Sequence, residues 1–287
     1  MEIEKTMRHE REVPSAVATL AEDVMAVDRI DGDDAEGRAL RCASETTQLL
    51  WRRSSIRKYK PDPVPDDVLM AVLEAARRCP TSDNLQAYSF IVVRDPATKK
   101  QLSELAGNQR HIVEAPVFVA ICADLSTVAL AGAMRGKTIV DDTVEMYLVA
   151  SIDAALAGMC ISLAAESLGL GSVMIGGMRN KALDAAQVLH LPDRCYVVFG
   201  LCLGWPDQNP NPRPRLPTEA VIHFERYQSA DKRDALRDYD RKIARFYRSL
   251  GKQATADSWT GQIAQEFSQA RRAQLRAELL ALGFNFL

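Results

Sequence analysis

The sequence predicts an α+β domain built on a short central sheet with one unusually apolar central helix. Three observations carry this. Four short runs rich in β-branched and apolar residues, 88–93, 117–123, 172–175 and 196–203, alternate with segments of helical period. The stretch 139–168 is apolar nearly all round and far too long for a strand. Hydrophobic residues make up 47% of the 287 and charged residues 26%, enough to bury a large core without disulfide staples.

The elements follow in order. Residues 1–45 are charge-rich, as in MEIEKTMRHEREVP and DRIDGDDAEGR, and are expected to form a peripheral or mobile extension. The domain proper is expected to span 46–287. Pro65, Asp66 and Asp67 open a helix to Arg78, with Val68, Leu69, Val72, Leu73 and Ala76 on one face; Pro80 closes it. YSFIVV (88–93) reads as a strand, and Asp95-Pro96 starts a helix through Leu105. VFVAICA (117–123) is apolar throughout, as in a strand buried on both faces. The long helix ends at Gly169. A third strand at 172–175, a helix at 180–189 and a fourth strand at 196–203 complete the body. DQNPNPRPRLP (207–217) has too many prolines for helix or strand. Two charged helices, 231–249 and 259–282, are expected to close the chain, the last as an arm separated from the body.

The central helix raises a membrane question, because 146–165 holds Asp153 as its one acidic or basic side chain. A mid-membrane aspartate costs about 2.5–3.5 kcal/mol, and the apolar residues return only about 0.3–0.6 each. Alanines, glycine and serines fill much of the rest, so a buried helix is the better account and no membrane partner is expected. One small sheet covers only one side of such a helix. A second copy of the same helix is the natural cover for the other, which predicts a homodimer.

Composition excludes several function classes. With 36 basic and 38 acidic residues the formal charge is −2, giving no field for nucleic acid. The six cysteines (42, 79, 122, 160, 195, 202) lack Cys-x-x-Cys spacing and only four histidines exist, so no metal site is expected. Scattered thiols suit a reducing, cytoplasmic compartment. Walker A, His-Glu-x-x-His and Gly-x-Ser-x-Gly motifs are absent.

Four loop motifs remain. Ser54, Ser55 and Arg57 combine hydroxyls with a guanidinium, a set suited to phosphate. Thr81 to Gln86 offers paired donors and acceptors to a ring edge. Gly176-Gly177, after a strand, lets the backbone approach a flat ligand. Arg213 and Arg215 are held by the prolines around them. Each has an ordinary structural alternative: a basic turn, a polar connector, a tight strand-to-helix turn, a solvated loop.

Taken together, the stretches RSSIRKY (53–59), PTSDNLQAYSFIVV (80–93), AGNQRHIVEAPVFVAICAD (106–124), AAESLGLGSVMIGGMRN (164–180) and FGLCLGWPDQNPNPRPRLP (199–217) resemble the nitroreductase family, within it the oxygen-insensitive NADPH nitroreductase and flavin reductase group. The resemblance covers about 48–287. It implies a nitroreductase-like α+β fold with a mostly antiparallel sheet, and a domain-swapped homodimer with a C-terminal arm. It implies FMN as cofactor and NADPH or NADH as donor. Nitroaromatics, quinones or free flavin would be reduced by ping-pong hydride transfer through flavin N5, with no catalytic side chain required. By the same resemblance the cofactor-binding positions are Arg53, Ser54, Ser55, Arg57, Thr81, Asn84, Gln109, His111, Met174, Ile175, Gly176, Gly177, Arg213 and Arg215. Arg248, Lys252 and Arg272 would face NAD(P)H or substrate. Ser54 and Leu250 stand where the family shows arginine. Two rival readings follow: a flavin reductase that supplies free reduced FMN to a partner, and a flavin-binding interaction protein without turnover.

Overall fold

The computed structural model describes residues 44–228, 232–251 and 258–287. The chain divides into two units, 1–48 and 49–287; of the first, only the residues from 44 on are described. Most of the predicted extension 1–45, and Lys252, lie outside the described residues.

Helix α1 spans Glu45–Arg52 and α2 Asp66–Ala76. Strand β1 (Tyr88–Val93) is followed by α3 (Pro96–Leu105), whose cap Asp95 accepts from Thr98 N at 2.7 Å. A short α4 (Arg110–Glu114) leads into β2 (Val117–Asp124), every residue of which is buried. Next come α5 (Ser126–Ala133) and α6 (Val144–Ser167). Thr143 caps α6, and Gly169 ends it at φ +84°, while Leu170 N reaches back to Ala165 O. Strand β3 (Gly171–Ile175) runs into a 3₁₀ segment (Gly176–Lys181) and α7 (Ala182–Val188). Strand β4 (Cys195–Gly204) follows, then α8 (Thr218–Val221), α9 (Arg233–Ser249), α10 (Trp259–Phe267) and α11 (Leu275–Ala281).

The four strands form one antiparallel sheet in the order β1-β2-β4-β3. This is the α+β class that the sequence predicts, with the long helix laid across the sheet. Ala150, Asp153, Ala154, Ala157, Gly158, Ile161, Ser162 and Ala165 form the buried face of α6. The approach is close: a Cβ on Gly158 would lie 2.5 Å from the Phe199 ring. α6 is long and apolar enough to cross a membrane, yet its core-facing stripe is spent on the sheet. Its other face exposes Leu148, Ile152 and Leu156, spaced four apart.

Four expectations need correction. The long helix begins at Val144 rather than 139. Residues 180 and 181 belong to the 3₁₀ segment, not to a helix running 180–189. The helix expected over 259–282 is two helices, broken where Arg272 takes φ 56°. Nor is its end separate from the body. Leu279, Leu282 and Phe284 are buried, Phe284 packs edge-on against Tyr147 and Tyr196, and Leu287 N donates to Asp142 O at 2.9 Å. Apolar content at the extreme C-terminus outweighs the charged surface of the preceding turns. Helices α9 and α10 are joined by Tyr239 against Trp259 and by Thr260 donating to Asp240.

Candidate functional site

The loop 53–59 is stapled to the sheet. Ile56 N donates to Ser172 O at 2.9 Å, and a Cβ on Gly171 would strike Ile56 at 2.7 Å. Asp207 N donates to Lys58 O and Gln208 Nε2 to Ser55 O, so the chain after β4 runs beside the same loop. Arg57 points one guanidinium nitrogen back at Ser55 O and is otherwise exposed. Arg53 is held more tightly. Its Nε lies 3.4 Å from Ser162 Oγ and 3.5 Å from Glu166 Oε1.

Gln109 and His111 flank the start of α4. Gln109 Nε2 donates to Ala106 O at 2.9 Å. Burial, then the Arg57 charge, hold the His111 imidazole below its ordinary pKa, which favours the neutral ring. Its Nε2 is sealed from solvent and has no hydrogen-bond partner among the described residues. Such a nitrogen is costly unless something else meets it.

The two glycines of 176–177 serve different needs. A Cβ on Gly177 would lie 2.5 Å from both Ala106 O and Gln109 Nε2, so this glycine is required by the protein's own packing. At Gly176 the nearest atom would be Arg179 Nη2 at 3.5 Å, an ordinary contact. Met174 is partly exposed on β3, whereas Ile175 is buried in the core and can offer only its backbone.

The remaining positions lie on separate supports. Thr81 and Asn84 belong to a loop pinned to α6, where Asp153 accepts from Ser82 N at 3.1 Å and Ala87 N at 3.2 Å. Asp83, Asn84 and Gln86 all have positive φ there. Arg213 lies 5.8 Å from the Tyr247 ring of α9; Tyr239 of the same helix donates to Pro214 O and feels the charges of both Arg213 and Arg215. Arg248 lines a shallow groove of about 300 Å³ on α9 with Asp240, Arg241, Ala244 and Arg245. Arg272 Nε donates to Asn180 Oδ1 at 2.8 Å, just beyond the two glycines. No hydrogen bond or ion pair among the described residues joins the loops of Thr81 or Arg213 to Arg53, Arg57 or His111. The structure thus brings 53–57, 109–111 and 172–177 together along β3, with the start of the Arg213 loop beside Ser55 and Lys58 and Arg272 beside Asn180, and leaves Thr81, Asn84 and Arg248 on separate supports.

Sequence reasoning missed Ser162, Glu166 and Ser172, which form a buried polar triangle: both serine hydroxyls can donate to Glu166 Oε1, Ser172 at 2.8 Å and Ser162 at 3.1 Å, and the two Oγ atoms lie 2.7 Å apart. Their signal was a hydroxyl and a carboxylate one turn apart at the end of an apolar helix. It also missed the role of Asp153, whose isolation in that helix was visible.

Known proteins share this sequence pattern and fold. The model of the nitroreductase family matches residues 50–205, and that of the nitroreductase family C-terminal domain matches 213–287. An oxygen-insensitive NADPH nitroreductase of Salmonella typhimurium is 37% identical over 233 residues, 80% of this chain and 93% of that protein. An FMN reductase (NADPH) of Bacillus subtilis is 35% identical over 84% of this chain and 99% of its own. Among solved structures, B. megaterium NfrA2 superposes with a TM-score of 0.83 at 34% identity, covering 85% of this chain and 100% of that one. The NADPH:FMN oxidoreductase of Vibrio harveyi, solved with NAD+, gives 0.77 at 30% identity, covering 84% and 99%. Both family models, end to end, account for nearly all of residues 50–287, and the chain belongs to the nitroreductase family.

Proposed function

We propose that this chain is an NAD(P)H-dependent FMN oxidoreductase that reduces nitroaromatics, quinones or free flavin. The observation that carries the reading is the placement along β3 of Arg53 and Arg57, on the loop fastened to its start, and of the Gly176–Gly177 turn at its end beside Gln109, with the buried His111 Nε2 unpartnered among the described residues, in a chain so similar to NADPH nitroreductases and FMN reductases. The residues fit such a cofactor: a buried ring nitrogen waits for a partner, and two guanidiniums with two serine hydroxyls supply donors for anionic oxygens. FMN supplies two-electron hydride chemistry when bound. The protein's part is to hold and orient. Arg53 and Arg57 offer positive charge, Ser54 and Ser55 offer hydroxyls, and Gly176 leaves the backbone open to close approach. His111, neutral, can donate or accept without adding charge. Arg248 on α9 and Arg272 beside Asn180 are suited to meet an anionic donor or oxidant. A reducing, cytoplasmic setting suits the free thiols of Cys79, Cys122, Cys160, Cys195 and Cys202. The test is turnover of NADPH and NADH by the flavin-loaded protein with a nitroaromatic, a quinone and free FMN in turn. Donor oxidation that depends on an added oxidant supports the reading; none with any oxidant overturns it.

The site is completed by a second copy of the chain. The exposed stripe Leu148, Ile152 and Leu156 is apolar and continuous along α6, the helix that also pins the Thr81–Asn84 loop. A two-fold partner covering that stripe would bring a second set of polar loops to the first. Ile152→Asp with Leu156→Asp is expected to give a monomer that holds FMN at least about tenfold more weakly, since each buries a charge at the centre of the contact. Sedimentation and flavin content read this directly, and a flavin-loaded monomer would contradict it.

A further inference from the structure

Glu166 is a costly residue where it stands. Its side chain is 10% exposed, and burial raises its pKa despite Ser172, Arg53 and Ser162, which favour the charged form. A carboxyl raised above its ordinary value makes the folded state less stable at neutral pH than a neutral group would. Ser162 and Ser172, both fully buried, spend their hydroxyls on it. What this arrangement grips is one atom of Arg53, its Nε. The two Nη amino groups have no acceptor among the described residues, although the side chain is only 16% exposed. They sit on the loop that Ile56 fastens to Ser172, so the triangle, the loop and β3 are one rigid corner.

We propose that Glu166, braced by Ser162 and Ser172, is a positioning residue that holds Arg53 with both amino groups free to bind an anionic oxygen of the flavin cofactor. This rests on the FMN reading above. Ser54, next to Arg53, has no charge with which to share the task. Gripping a guanidinium by Nε fixes the plane of its fork and leaves the bidentate edge outward, the geometry that binds phosphate or a paired carbonyl and ring nitrogen best. The anionic oxygen can belong to the phosphate or to the pyrimidine ring, and one experiment separates these sources.

Full-length protein is stripped of flavin and retitrated with FMN and with riboflavin, which lacks the phosphate. Wild type, Glu166→Gln, Arg53→Ala and the double variant are compared, with Ser172→Ala as a milder disturbance of the same brace. Glu166→Gln is expected to weaken FMN about tenfold, and the double variant no more than Arg53→Ala alone, because both act through one contact. An effect on FMN only assigns Arg53 to the phosphate, and an equal effect on riboflavin assigns it to the ring. The flavin-free Glu166→Gln protein is expected to melt at or above the wild-type temperature. Unchanged FMN affinity, additive losses in the double variant, or a lower melting temperature matched by the loss of affinity would each overturn the proposal. Wild-type protein that takes up no FMN would instead overturn the functional reading itself.

Discussion

Asp153→Ala is expected to cost on the order of 3 kcal/mol, a fall in Tm of about 6–12 °C for a domain of this size. Asp153 is 1% exposed and accepts two backbone N–H groups, from Ser82 and Ala87, the second of which is fully buried. Alanine leaves both donors without their acceptor, and the Ala87 N–H lies in a place water does not reach. The loop they belong to holds three residues at positive φ, Asp83, Asn84 and Gln86, a conformation that persists only while its surroundings enforce it. Its release removes Thr81 and Asn84 from any ordered site. Asp153→Asn keeps one acceptor oxygen and turns an amide donor toward the other N–H, so it should fall between wild type and alanine. Thermal unfolding of the three proteins checks the order. Alanine within about 1 °C of wild type would show that the carboxylate does not hold the loop.

The second large effect is at Gly177. Alanine there places a methyl 2.5 Å from Ala106 O and from Gln109 Nε2, and 3.2 Å from Ala106 C. Two of these atoms are backbone, and Ala106 is itself fixed by its N–H to Leu102 O and by the Gln109 amide. The turn must move, at about 1–3 kcal/mol for overpacking, and it carries the residues proposed to lie beside the flavin. A displacement of roughly half an ångström is enough to spoil a preorganised site, so FMN affinity should drop at least about tenfold. Gly176→Ala separates the two causes. Its methyl meets nothing among the described residues closer than 3.5 Å, so stability should hold within about 0.5 kcal/mol while FMN affinity falls. Equal melting losses at both glycines would contradict this division.

These residues also show where the sequence was legible. The β1 and β2 strands announced themselves as YSFIVV and VFVAICA because burial on one or both faces leaves a local apolar signature. Helix α6 was legible for the same reason, and Gly169 marked its end. The strand order β1-β2-β4-β3 was not, since pairing is decided by non-local packing. The break in the last helix was hidden because 268–274 contains neither proline nor glycine. It arises from tertiary contacts: Arg272 and Gln274 both donate to Asn180. Within the site, the glycines and the Ser54–Arg57 loop stood out by residue type. The Glu166 triangle did not, because Ser162, Glu166 and Ser172 become a unit only when β3 folds back along α6.

If the chain binds a flavin and passes electrons through it, the flavin's own absorbance must report each transfer. The decisive experiment is an anaerobic absorbance titration of the flavin-loaded protein with NADPH, then with NADH. A donor is expected to bleach the flavin band in proportion to the amount added, and a nitroaromatic or quinone to restore it. A protein that takes up no FMN, or whose bound flavin neither donor reduces, would contradict this.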